Sequence, residues 1–204
     1  MSAQTLTAGQ RQALLRMGDL GIRGAAQALA QLLGAAPALA VSSVEVVPLR
    51  AVAALLGPGD RVVAGIAFRL YGGTTGRFLV LMPREAAIAV VAALTGHAGR
   101  RPPALTEEDQ SVLKEAGNIL GSAYVSAVAN QLKVPIIPSI PHLVFDLAEA
   151  VVATMLPAAA VGEGDRAILV TRFADAARGI EGMVLLVPGA ENGDPLMDLL
   201  IAGR

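Results

Sequence analysis

The stretch from Thr106 to Pro141, TEEDQSVLKEAGNILGSAYVSAVANQLKVPIIPSIP, limits the possible folds more than any other part of the chain. It opens with a helix-start signal, Thr106 followed three residues later by Asp109. Apolar residues then recur at Leu113, Ala116, Leu120, Tyr124, Val128 and Leu132. That spacing is helical rather than alternating, and no proline interrupts it before Pro135.

Ser111, Glu115 and Asn118 stand four and then three residues apart, so they share one face of this helix. One turn therefore presents a carboxylate and a carboxamide in the same direction. Gly117 and Gly121 lie on the same helix, where a glycine costs roughly 1 kcal/mol against alanine. Two explanations stay open. Either the helix packs closely on a neighbouring element, or another molecule must approach the Glu115/Asn118 turn. Ser122 beside Gly121 reads as a small packing residue. The Gly-x-Ser-x-Gly elbow is missing and no His/Asp set accompanies it, which argues against a serine hydrolase.

The rest of the chain repeats the plan of a long helix followed by strands. Thr7 and Gln10 form a second capping-box candidate, opening a helical pattern that runs to about Leu33 and stops at Gly34 and Pro37. Residues 39–47 read as a strand, and Pro48–Leu56 as a short helix stopped by Gly57-Pro58-Gly59. Arg61–Tyr71 and Gly76–Met82 read as a hairpin around Gly72-Gly73. A further helix runs from Pro83 to about Leu94, and residues 95–103 form a linker. Arg16-Met17-Gly18-Asp19 matches Glu115-Ala116-Gly117-Asn118, Gly59-Asp60-Arg61 matches Gly164-Asp165-Arg166, and Leu79–Pro83 matches Val184–Pro188. An insertion near Pro157–Val161 would absorb the drift in register. The expectation is one domain over residues 1–204, made of two repeats at about 6–98 and 105–204. Its fold class is α/β (α+β): a six-stranded, mostly antiparallel sheet with pseudo-two-fold symmetry and long helices packed on it. Where the second copy has Glu115 and Asn118, the first has Arg16 and Asp19, which suggests a task that one half alone performs.

Composition narrows the chemistry. There is no cysteine, so thiolate nucleophiles, disulfides and Cys-based zinc sites drop out. The two histidines, His97 and His142, are far apart and not at helical metal spacing; both read as surface or structural residues. Net charge is −1 and aromatics make up 3% of the chain, which disfavours nucleic-acid binding. The start carries no apolar signal-type core and no apolar run reaches membrane-spanning length, so a cytoplasmic protein without membrane insertion is expected.

At the central helix the sequence resembles the CheC/CheX/FliY family of chemotaxis phosphatases. The family pattern is Asp or Ser, three residues, Glu, two residues, Asn, about 22 residues, then Pro. Here it falls on Ser111, Glu115, Asn118 and Pro141. Length and duplication are similar to CheC, with the second of two motifs intact. The resemblance implies hydrolysis of the aspartyl phosphate of a CheY-type response regulator. Asn118 would orient the attacking water and Glu115 would pair with a lysine of the receiver. Ser111, Pro141, Gly121 and Ser122 would support docking, while Arg16 and Asp19 would be inactive counterparts. The protein would need no cofactor of its own, because the receiver supplies Mg²⁺. A CheD-type protein is a further candidate partner, and a monomer is expected. The competing reading is a catalytically silent adaptor that binds a receiver, a CheD-type partner or the flagellar switch.

Overall fold

A computed structural model describes residues 7–33, 40–48, 51–97, 104–156 and 167–189. The features expected at Gly34 and Pro37, Pro157–Val161 and Gly164-Asp165-Arg166, much of the 95–103 linker, and any helix after β7 lie outside these residues.

Twelve elements follow in order: α1 (Ala8–Leu33), β1 (Ala40–Pro48), α2 (Val52–Leu55), β2 (Val62–Gly72), β3 (Gly76–Pro83) and α3 (Arg84–Thr95), then α4 (Glu107–Leu132), β4 (Ile136–Pro138), β5 (His142–Leu147), α5 (Ala148–Met155), β6 (Ala167–Asp175) and β7 (Ile180–Pro188). The long helices begin as the sequence predicts. Thr106 Oγ1 accepts from the Asp109 backbone N–H, and the Asp109 carboxylate accepts from the Thr106 N–H at 3.0 Å. Thr7 and Gln10 repeat this exchange on α1. Each box satisfies two N–H groups that a helix start otherwise leaves without partners. Among the described residues no helix is long and apolar enough to cross a membrane.

All paired strands are antiparallel, in the order β1-β6-β7-β3-β2-β4, with β5 also on β2. The mixed α/β class and the antiparallel sheet agree with the sequence reading. The described strands number seven rather than six. The first strand of the second half is broken in two, because Pro138 and Pro141 bracket it and proline cannot donate to a ladder.

Alternation along the strands builds two apolar layers. Ala64, Ile66, Phe68 and Leu70 of β2 join α1, α3 and α4, while Val63 and Ala67 join α2 and α5. β7 divides likewise, with Val184 and Leu186 on the long-helix side and Met183, Leu185 and Val187 on the other. Strands covered on both faces are apolar along the covered part, which is why the centres of β2, β3 and β7 read as long hydrophobic runs.

Faces also fix the correspondence between the halves. The long helices correspond at an offset of 99 residues, Thr7 to Thr106. The sequence match of Leu79–Pro83 with Val184–Pro188 is one residue out of register, because Leu79 and Val184 lie on opposite faces. Val80 and Val184 face the same layer and pair with each other at the centre of the sheet. A one-residue slip exchanges core face for opposite face, so burial overrules the letters.

Small residues bring the helices down onto the sheet and onto each other. A Cβ on Gly117 would lie 2.5 Å from Ile66 Cδ1, one on Gly121 would lie 3.0 Å from the Phe68 ring, and one on Gly21 of α1 would lie 2.6 Å from the Tyr124 ring. Tyr124 is fully buried and packs on Phe78 at a ring-centroid distance of 4.9 Å. Its hydroxyl and that of Thr171 have no hydrogen-bond partner among the described residues. Burial pushes the Tyr124 phenol above its ordinary value of 10.0; Thr171 opposes that shift in part without completing a hydrogen bond.

Two outcomes follow from this packing. Gly21→Ala is expected to lower stability by about 1–2 kcal/mol despite its better helix propensity, because the Tyr124 ring has no room to retreat. Gly9→Ala, with nothing within 4 Å of its Cβ, is expected to raise stability by up to about 1 kcal/mol; urea midpoints check both signs. The unfolded chain loses the Tyr124 proton near pH 10 while the folded one retains it. That contribution is thus fully present below pH 10 and lost as pH rises above it. Tyr124→Phe should flatten the fall in urea midpoint between about pH 9.5 and 11.5 relative to wild type.

Candidate functional site

α4 can rotate in only one way on this sheet. Leu113, Ala116, Gly117, Leu120, Gly121 and Tyr124 are buried beneath it. Glu115 and Asn118 fall on the opposite side, about 60° apart around the axis and about 4.5 Å apart along it. Glu115 is exposed and Asn118 half-buried. Among the described residues neither side chain has a hydrogen-bond or ion-pair partner. An acid and an amide are thus held outward, side by side and uncommitted.

The same turn of α1 is occupied differently. Arg16 is exposed and Asp19 half-buried, so the positions match Glu115 and Asn118 in burial. Asp19 is engaged, however: its Oδ2 accepts from Arg23 Nε at 2.8 Å, four residues along the helix. Arg23 occupies the position of Ser122 at the 99-residue offset. The first-half turn therefore presents two guanidinium groups and a neutralised carboxylate. Sequence reasoning passed over Arg23, although Asp and Arg at i,i+4 on a helix was a legible signal.

The remaining residues of the pattern separate into roles. Ser111 is exposed and its hydroxyl donates to the Glu107 carbonyl at 3.0 Å, so it binds its own helix rather than orienting Glu115. Gly117 and Gly121 are accounted for by Ile66 and Phe68 beneath them, which resolves the two explanations in favour of packing. Ser122 is half-buried one turn beyond Asn118. Pro141 is half-buried in the connection from β4 to β5. Two residues later Leu143 pairs with Ile66, the residue on which Gly117 rests. The connection thus runs beside the strand that carries the Glu115/Asn118 turn. His97 and His142 are both exposed and belong to no cluster with these residues. Among the described residues no group of three or more His, Cys, Asp or Glu could hold a metal ion.

No family model matches the chain. The CheY-P phosphatase CheC of Bacillus subtilis (strain 168) is 30% identical to it over 157 residues, 76% of this chain and 75% of the relative. Thermotoga maritima FliY superposes with a TM-score of 0.76 at 14% identity, over 98% of this chain and 100% of that one. A chain of the CheX-CheY-BeF3-Mg complex from Borrelia burgdorferi superposes with a TM-score of 0.53 at 14% identity, over 83% of this chain and 95% of that one. The two structural likenesses show the fold, and the sequence relative shows descent: the chain belongs to the CheC/CheX/FliY family.

Proposed function

We propose that this protein ends a chemotaxis signal by hydrolysing the aspartyl phosphate of a CheY-type response regulator, with one centre on α4. The observation that supports this reading is the contrast between the two long helices. Glu115 and Asn118 point outward without internal partners, whereas Asp19 is tied to Arg23. A receiver-bound acyl phosphate already has its metal and charge stabilisation in place, so a water in line with the phosphorus is what it lacks. Positioning of that kind is a large catalytic term.

Asn118 suits the task, because a carboxamide both accepts and donates hydrogen bonds. Its oxygen accepts from the water while the water's oxygen attacks phosphorus. The bond from phosphorus to the aspartyl oxygen breaks, and the aspartate departs as a carboxylate. The water's proton leaves with the phosphate or to solvent. Glu115 pairs with the receiver's lysine and sets the docking register. The Mg²⁺ belongs to the receiver in this reading. Arg16 on α1 repels the same lysine, so that helix does not dock in this mode. In this reading the two halves act as one domain with a single centre.

An adaptor without catalysis, at a receiver, a CheD-type partner or the flagellar switch, draws on the likeness in fold to FliY. Phosphate lifetime separates the two readings. With a cognate phosphorylated receiver and Mg²⁺, wild type is expected to shorten the lifetime, and Asn118→Ala to lose about a hundredfold or more of that acceleration. Asn118 is half-buried and without a partner, so Asn118→Ala should keep its urea midpoint within about 0.5 kcal/mol of wild type. Arg16→Ala is expected to leave the rate within about twofold. Binding by wild type with no change in lifetime would establish the adaptor instead.

A further inference from the structure

Ile140 is 88% exposed, against 39–61% for the other exposed large apolar side chains described. Single exposed apolar residues are common on protein surfaces and need no explanation by themselves. This one is exceptional because it is exposed at a place where the backbone is firmly held. The Ser139 N–H donates to the Arg69 carbonyl at 2.8 Å, and the Arg69 N–H donates to Ser139 Oγ at 3.0 Å. Ser139 Oγ in turn donates to the carbonyl of Ile140 itself at 2.9 Å. Pro138 and Pro141 flank the pair, each with its φ fixed by the ring. Five hydrogen-bonding and ring constraints within four residues hold in place a side chain that touches almost nothing of its own protein.

The position is as specific as the rigidity. Pro138 pairs with Leu70 and Ser139 bonds to Arg69, so Ile140 is next in line along the outer edge of β2, at Phe68. Phe68 is the residue beneath Gly121, one turn from Asn118. A standard interface covers about 800 Å² per partner, a patch roughly 30 Å across. The proline bracket also belongs to one half only. At the 99-residue offset Ile140 and Pro141 correspond to Val41 and Ser42, and there β1 continues as a strand: Val41 pairs with Phe173 and Ala40 with Ala174 across a bulge. The proline-bracketed projection and the outward acid and amide therefore occur together, in the half proposed to act.

We propose that Ile140 is an apolar docking anchor for the receiver whose phosphoryl group meets the Glu115/Asn118 turn. This rests on the reading of α4 given above. A side chain ordered before binding loses little freedom on binding, and a few well-placed anchors carry most of the energy of an interface. Such an anchor strengthens the encounter and leaves the chemical step untouched, because Ile140 contacts neither water nor phosphorus.

The experiment measures KM and kcat for a phosphorylated CheY-type receiver from the same organism, and affinity for that receiver loaded with beryllofluoride and Mg²⁺. Ile140→Asp is expected to raise KM and weaken affinity at least tenfold, with kcat within twofold and the thermal midpoint unchanged. Ile140→Leu should restore KM to within about threefold of wild type. Asn118→Ala, run alongside, should lose kcat while still binding. If Asn118→Ala is inactive but Ile140→Asp keeps wild-type KM and affinity, the anchor is overturned and the phosphatase reading stands. If Asn118→Ala is fully active, both fall together.

Discussion

The close seat of α4 on β2 is the contact from which the rest follows. Gly117 above Ile66 and Gly121 above Phe68 let the helix backbone approach closer than any side chain would allow. That approach leaves the helix no freedom to roll. Once Leu113, Leu120 and Tyr124 are buried, the 3.6-residue period sends Glu115 and Asn118 outward. The two glycines lower helix propensity locally, and the packing they permit recovers that loss through contacts from both aromatic and aliphatic residues. Side chains that position a reactant need a rigid base, and a glycine face pressed onto a central strand supplies one.

The sheet extends that rigidity across the chain. β1 of the first half pairs with β6 of the second, and β5 of the second pairs with β2 of the first. Each half hands its leading strand to the other, and β3 and β7 close the middle. Neither half could complete its sheet by itself. Exchange of this kind ties both halves into one sheet while their long helices differ at the surface turn of Arg16/Asp19 and Glu115/Asn118. Arg16, Asp19 and Arg23 are surface positions, free to change, whereas Leu14, Met17 and Ile22 beneath them stay apolar and buried.

Much of this was legible in the sequence, and the gaps have physical causes. Both capping boxes were visible because they depend on residues three apart. The α4 pattern was visible because a buried face repeats at helical spacing. The hairpin of β2 and β3 was visible from its apolar runs around Gly72-Gly73. Three features escaped. The match of Leu79–Pro83 with Val184–Pro188 fell one residue out, because strands buried on both faces lack the alternation that would mark the slip. β4 escaped because two isoleucines between Pro135 and Pro138 carry no period at all. The Asp19–Arg23 pair escaped because Arg23 lies outside the positions that match between the two long helices. The reason for Gly117 and Gly121 could not be decided from one chain, since a glycine required by a strand below and one required by a partner above look the same.

A protein that supplies only position to another protein's chemistry needs its positioning group uncommitted beforehand. An amide already bonded inside its own fold would have to surrender that bond on docking, at a net cost of about 1 kcal/mol for a neutral partner and more for a charged one. The half-buried Asn118 makes no such side-chain bond among the described residues. Asp19 shows the contrary condition: half-buried to the same class, yet bonded to Arg23, with its lone pairs aimed along its own helix. Replacing an amide by a carboxylate removes a donor, and an arginine one turn away engages one of the two acceptor oxygens. Two substitutions on one helical face are thus enough to convert a presenting turn into a self-satisfied one, with the helix, its cap and its buried face left as they were.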